Sequence, residues 1–224
     1  MPPLSTVLSV NVGRPEANPY KDVRRTGIGK KPVGEPVEVR APGPKRGGLG
    51  SGLVGDFVGD RRHHGGDDQA VYAFAREDLD RWSERLGRHL PNGYFGENLT
   101  TLDLDVNDAR IGEVWRVGAQ VELTVTDPRT PCSTFRGWVG ERGWLRMFAV
   151  DARPGTYLRV SVTGLISSGD PVEIVHRPAH DVTVATVFRA LTTDRSLLGQ
   201  LAEAEAYLTT EVREAVAAHR ARRP

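Results

Sequence analysis

Apolar and polar side chains alternate along several short stretches of this chain. The clearest is Gln120–Thr126, where Val121, Leu123 and Val125 recur with a period of two and so line one face of a strand. Pro36–Arg40, Gln69–Phe74, Ile111–Val117, Tyr157–Thr163 and Pro171–His176 carry similar patterns, nearly all punctuated by Gly or Pro. Arg76–Leu90 differs: Leu79, Trp82, Leu86 and Leu90 fall at helical spacing with Gly93 soon after, which predicts one amphipathic helix. Many short strands with few helices favour a mainly β fold, a barrel or sandwich, over a parallel α/β sheet; a barrel is the expectation.

After Arg177-Pro178 the pattern changes. Val184, Val187, Phe188 and Leu191, then Leu197, Leu198, Leu201 and Leu208, then Val212 and Val216 predict two or three short helices after Asp181. The segment is too small for a core of its own, so its apolar faces should pack on the barrel or on a second subunit, which leaves a homodimer open. The expected organisation is a β domain over 1–178, with its core at about 33–175, and a helical extension over 179–224. Gly43–Gly66 contains nine glycines in twenty-four residues and reads as loop, where backbone turns sharply or approaches a ligand closely.

Composition narrows the function classes. The 224 residues, 38% hydrophobic, suit one folded domain with a small appendage. Thirty Lys and Arg against 29 Asp and Glu leave a net charge of +1, so no global field draws in nucleic acid or an anionic membrane. Locally, Arg14–Arg46 holds nine basic residues against four acidic ones, a place for an anion to dock. No apolar run approaches the about 20 residues that span a bilayer. The apolar stretch Met1–Val12 has no basic residue before it and no small-residue cleavage site, so a cytoplasmic location is expected. The single cysteine, Cys132, excludes an internal disulfide and fits a reducing compartment.

Two motif matches fail on context. Gly50, Gly52 and Gly55 spell a dinucleotide fingerprint, but prolines and glycines replace the strand that should precede it. Asp103, Asp105, Asn107 and Asp108 imitate the start of a calcium loop, yet Asp108 and Val114 occupy the positions that need Gly and Glu. Three segments carry more chemistry. Gly59–Gln69 concentrates His63 and His64 with acidic residues among glycines; on extended chain the two imidazoles point oppositely, so at most one enters a given site. Asn92–Thr101 is a polar turn whose buried amides hold a loop or read a ligand edge. In Asp127–Cys132 a proline-stiffened turn places Arg129 three residues before the thiol. A guanidinium that came close would favour the thiolate, which attacks electrophiles and ligates metals. The alternative, a small inert residue in the core, stays open at this point.

These segments, in this order, resemble the MOSC family, the domain found at the C-terminus of molybdenum cofactor sulfurases. The matching stretches are Val54–Asp56, His64–Val71, Gly96–Thr100, Ile111–Glu113 and Pro128–Cys132; Thr26–Val33, Tyr157–Val160, Gly169-Asp170 and the helical tail are similar to its stand-alone bacterial, YiiM-like branch. The resemblance implies a β-barrel with a few inserted helices and a molybdenum cofactor of the pyranopterin type. It also implies that Cys132 holds molybdenum or carries sulfur, and that Thr26, Lys30, His64, Gly65, Asn98 and Arg129 line the cofactor pocket. The activity it suggests is molybdenum-dependent reduction of N-hydroxylated bases or related compounds, a detoxification, with Lys30 or His64 as proton donor and electrons from a separate donor protein. The alternatives are a sulfur or cofactor carrier working through a Cys132 persulfide, and a Cys132/His64 hydrolase. The loops Ala41–Ser51 and Gly140–Pro154 depart from the family pattern.

Overall fold

Along Val121, Leu123 and Val125 buried positions alternate with the half-buried Glu122 and Thr124, and the stretch opens the longest strand. The computed structural model describes residues 4–221. Its first half comprises β1 (Thr6–Val12), β2 (Glu16–Ala17), β3 (Arg25–Thr26), β4 (Lys31–Pro32), β5 (Val37–Val39), β6 (Val71–Ala75), α1 (Arg76–Leu86) and β7 (Leu99–Leu102). There follow β8 (Val114–Val117), β9 (Val121–Pro128), α2 (Ser133–Val139), α3 (Trp144–Asp151), β10 (Thr156–Val162), β11 (Gly164–Ile166) and β12 (Val172–His176). The tail holds α4 (Val184–Thr192), a 3-10 segment (Arg195–Ala204) and α5 (Thr210–Arg220).

Eight strands form one mixed sheet in the order β12-β8-β9-β10-β6-β7-β1-β4. The β6–β7 pair is parallel, and every other pairing in this ladder is antiparallel. The closed barrel expected from the short strands is not formed. The outer edge of β1 is divided: Asn11 and Val12 pair with β4. Only the start of β1 and the residue before it meet residues 169–172, through an isolated bridge between Thr6 and Pro171 and the bonds Val7 N to Asp170 O at 2.9 Å, Gly169 N to Val7 O at 2.7 Å and Val172 N to Ser5 O at 2.8 Å. That contact reaches only Val172, the first residue of β12, and β1 and β12 are not paired strands.

The expected helix stops at Leu86, four residues early. Gly87 adopts φ 63°, and its N–H turns back to the carbonyls of the last turn. Leu90 remains buried beyond it. The apolar run at the amino end is a strand, β1, as far as the described residues go; positions 1–3 lie outside them. The glycine-dense stretch contains no strand pair of length, and it is tied to the frame by Gly52 N to Ala70 O at 2.7 Å and Gly66 N to Gly50 O at 2.9 Å.

Two apolar clusters carry the fold. One joins the inner faces of β1, β6, β8, β9 and β10 to the tail through Val187, Leu198, Leu201, Leu208, Val212 and Val216. The tail therefore buries its apolar faces on the sheet, each such side chain contributing about 1.5–3 kcal/mol. The other cluster is aromatic: Trp82, Phe95, Phe135, Trp144 and Phe148 pack largely edge to face, and Phe188 of α4 joins them. It lies under α2 and α3 and so holds the turn that carries Cys132. No helix among the described residues is long and apolar enough to cross a membrane.

Candidate functional site

β9 ends at Pro128, and Arg129, Thr130 and Pro131 carry the chain to Cys132, the N-cap of α2. There Sγ accepts a hydrogen bond from Phe135 N at 3.5 Å. Arg129 is buried just behind. Its guanidinium donates to Phe95 O and lies 4.2 Å from the Phe135 ring centre and 4.9 Å from that of Tyr72. Burial pushes the Cys132 thiol up, but a hydrogen bond with His64, the charges of Arg129 and His64 and the Phe135 N–H together outweigh it and hold the thiol at about 6. A half-buried thiolate beside the Arg129 guanidinium is the state this turn selects at neutral pH.

His64 reaches the thiol through a tight turn. His64 N donates to Asp60 O at 3.0 Å, and then Gly65 and Gly66, at φ 81° and 80°, reverse the chain. A Cβ on Gly65 would stand 2.5 Å from Gly50 O, so only glycine fits there. His63 is exposed and stays outside, but not by strand alternation: residues 61–63 form a turn in which His63 N and His64 N both donate to Asp60 O.

Thr26, Lys30, His64, Gly65, Asn98, Arg129 and Cys132, spread over a hundred positions, all line one cleft of about 110 Å³. They do not stand in it alike. Lys30 and Asp56 form an ion pair whose side chains are 7% and 1% exposed. Asp56 also accepts from Gly13 N at 2.7 Å, Ser51 Oγ at 2.6 Å and Asn98 Nδ2 at 2.9 Å. Asn98 Oδ1 in turn accepts from Tyr72 N at 3.1 Å. Lys30 and Asn98 are thus the floor of the cleft, committed to Asp56, whereas Cys132 and His64 are chemically available. Thr26 Oγ1 accepts from Ile28 N at 3.2 Å and shapes the neighbouring turn.

Several lining residues were not singled out from the sequence alone. Asp56 lies inside a stretch that carries the family resemblance, yet only the fold shows it gathering four donors. Lys21, paired with Asp60 at 2.5 Å, and the exposed Arg25 come from the basic excess of the first quarter and reach the cleft wall. Gln69, Tyr72 and Tyr157 complete it. The acidic run at Asp103–Asp108 is a turn: Asp105 Oδ1 accepts from Asn107 N at 3.0 Å and Asp108 N at 3.3 Å. Among the described residues no group of three or more His, Cys, Asp or Glu is arranged to hold a metal ion.

A family model, the MOSC domain, matches residues 60–173, which include His64, Asn98, Arg129 and Cys132. YflK of Bacillus subtilis (strain 168), described as an uncharacterized protein, is 32% identical over 180 residues, covering 80% of this chain and 77% of YflK. A protein named reductase from Gibberella moniliformis is 29% identical over 157 residues, covering 68% of this chain but 28% of the fungal protein. The crystal structure of YiiM from Geobacillus stearothermophilus superposes with a TM-score of 0.76 at 27% identity, covering 96% of this chain and 98% of that one.

Proposed function

The chain belongs to the MOSC domain family, and on that premise we propose that the Cys132 cleft binds a molybdenum pyranopterin cofactor and reduces N-hydroxylated compounds. One observation carries the reading: a thiol held at about 6 faces the same cleft as His64 and Arg129. The relative named reductase supports the reaction class.

The residues present suit such a cofactor. A thiolate is the soft donor that a thiophilic metal selects, and Cys132 would supply it. Gln69 Oε1 is buried against the cleft with no hydrogen-bond partner, an acceptor suited to the N–H groups of a pterin. Arg25, exposed at the wall, suits a phosphate. When bound, the cofactor supplies two-electron chemistry that removes an oxygen atom. The overall change is R–NHOH plus two electrons and two protons to R–NH2 and water, with the electrons from a separate electron-donor protein.

The chain's own residues do the rest. Arg129 balances the Cys132 charge and, held by Phe95 O and two rings, fixes the thiolate's place. His64 holds a proton beside the thiol and delivers it to the departing oxygen; Lys30 does not, because its ammonium is bound to Asp56. The Asp56 network keeps the floor rigid. The β domain up to residue 178 is this functional unit, and α4 and α5 buttress it.

The test uses protein purified from a host that makes the cofactor. Wild type should hold molybdenum and pterin and, with an artificial reductant, convert 6-hydroxylaminopurine. Cys132→Ser should lose the metal, because an alkoxide is a harder and far more basic donor. His64→Ala should keep the metal and lose about 10²-fold in turnover. Loaded wild type that reduces nothing while passing sulfur or cofactor to a partner enzyme would replace this reading with a carrier.

A further inference from the structure

Most polar side chains of the cleft already have partners inside the protein. Lys30, Asp56, Ser51 and Asn98 satisfy one another, and Arg129 is held by Phe95 O. Two tyrosines stand side by side on the wall, their ring centres 5.1 Å apart, and they differ. The Tyr72 hydroxyl donates to Pro154 O at 2.7 Å. The side chain of Tyr157 makes no such bond, although its carbonyl accepts from the Thr126 and Thr156 hydroxyls at 3.0 Å each. Its own hydroxyl has no partner among the described residues and is not sealed from solvent. A half-buried tyrosine ordinarily finds a partner for its O–H.

The position of this free hydroxyl is rigid. Across β10 the residue pairs with Tyr72 of β6 on one side and with Asp127 of β9 on the other. Both flanking strands are interior to the sheet, so the ring has little freedom to leave the wall. From Asp127 the chain runs on through Arg129 to Cys132, and Tyr157 and Cys132 line the same cleft.

We propose that Tyr157 is a substrate-contact residue whose hydroxyl donates a hydrogen bond to the oxygen of a bound N-hydroxylated heterocycle, so that it selects the hydroxylated form over the amine. The assignment rests on the reductase reading for the identity of the substrate, while the contact itself rests on the unpartnered hydroxyl. A neutral donor facing an N–O oxygen discriminates against a ligand that lacks the oxygen, because the donor is then left without its bond.

The test is direct binding, independent of turnover. 6-Hydroxylaminopurine and adenine are titrated calorimetrically into cofactor-loaded wild type and Tyr157→Phe without reductant. Wild type should prefer 6-hydroxylaminopurine by about tenfold, and Tyr157→Phe should bind the two alike. Molybdenum and pterin content and the thermal midpoint should not change, since no hydrogen bond within the protein is lost. A wild type with no preference, or one that binds neither base, overturns the inference. So does a variant that keeps the preference, or one that loses pterin instead, since the hydroxyl would then serve the cofactor. A wild type that prefers the hydroxylated base yet fails to reduce it would sink the reductase reading and leave the contact standing.

Discussion

Asn98 Nδ2 donates to Asp56 Oδ2 at 2.9 Å, and this bond between residues 42 positions apart joins the glycine-rich segment to the start of β7 under the cleft. Asp56 is the hub of that floor: it also takes the Lys30 ammonium, Ser51 Oγ and Gly13 N. The consequences of removing it are therefore local to the site and large.

Asp56→Asn leaves the Lys30 ammonium buried without its counter-charge, and removing one partner of a buried pair costs about 3–5 kcal/mol. Urea unfolding should show a loss of that size. Lys30→Met in the same chain should recover part of it, since the stranded charge is gone. Strictly additive losses would mean that the two side chains do not depend on each other.

The Cys132 thiol at about 6 is almost fully thiolate at neutral pH in the ligand-free protein. Its rate of alkylation by iodoacetamide should rise with pH and level off just above that value. His64→Ala removes one of the stabilising groups and should move the inflection toward the ordinary thiol value of about 8.5. An unmoved inflection would place the cause in Arg129 and the Phe135 N–H.

Asp127 is held at about 7, against an ordinary 3.8. Burial is the main cause; Asp68 and Glu211 add to it, while the Thr209 hydrogen bond and Lys45 oppose it. The folded chain thus keeps a proton that the unfolded chain releases between about pH 4 and 7. This contribution to stability is full at the acid end of the window and is lost as pH rises through the folded value. Asp127→Asn retains an oxygen for Thr209 Oγ1, which donates to Oδ1 at 3.0 Å. Between about pH 5 and 8 wild type should lose about 2 kcal/mol relative to this variant in urea unfolding. Glu97, also pushed to about 7 by burial, is common to both proteins and cancels. Parallel profiles would show that Asp127 is already ionised in the fold.

Gly65→Ala tests the turn that aims His64. The added Cβ meets Gly50 O at 2.5 Å on a backbone of φ 81°. The expected cost is about 1–3 kcal/mol in stability. The Cys132 alkylation profile should shift in the same direction as for His64→Ala, because the imidazole leaves the thiol. A lower stability with an unshifted profile would show that the turn yields elsewhere.

The sequence by itself determined the strands whose apolar residues alternate, most clearly Val121–Val125, and the helical character of the tail. One-sided burial writes a period into the chain. It did not determine β7 or the end of α1. Leu99–Thr101 is buried as the parallel partner of β6 and so has no alternation to read. α1 ends by a left-handed Gly87 that helical spacing passes over. Nor did it decide barrel against open sheet, because closure depends on which strand takes the outer edge of β1, a pairing without local signature.

At the site, Cys132, His64 and Arg129 came forward from the sequence through the motifs that carry the family resemblance, while residue chemistry alone left Cys132 open between a reactive thiol and an inert core residue. The division of labour among the lining residues was not. Whether Lys30 is a free cation or the partner of Asp56, and whether Tyr72 or Tyr157 keeps a free hydroxyl, depends on atoms brought together from distant parts of the chain. A hydrogen bond requires two groups within about 3 Å, a condition that only the tertiary structure sets.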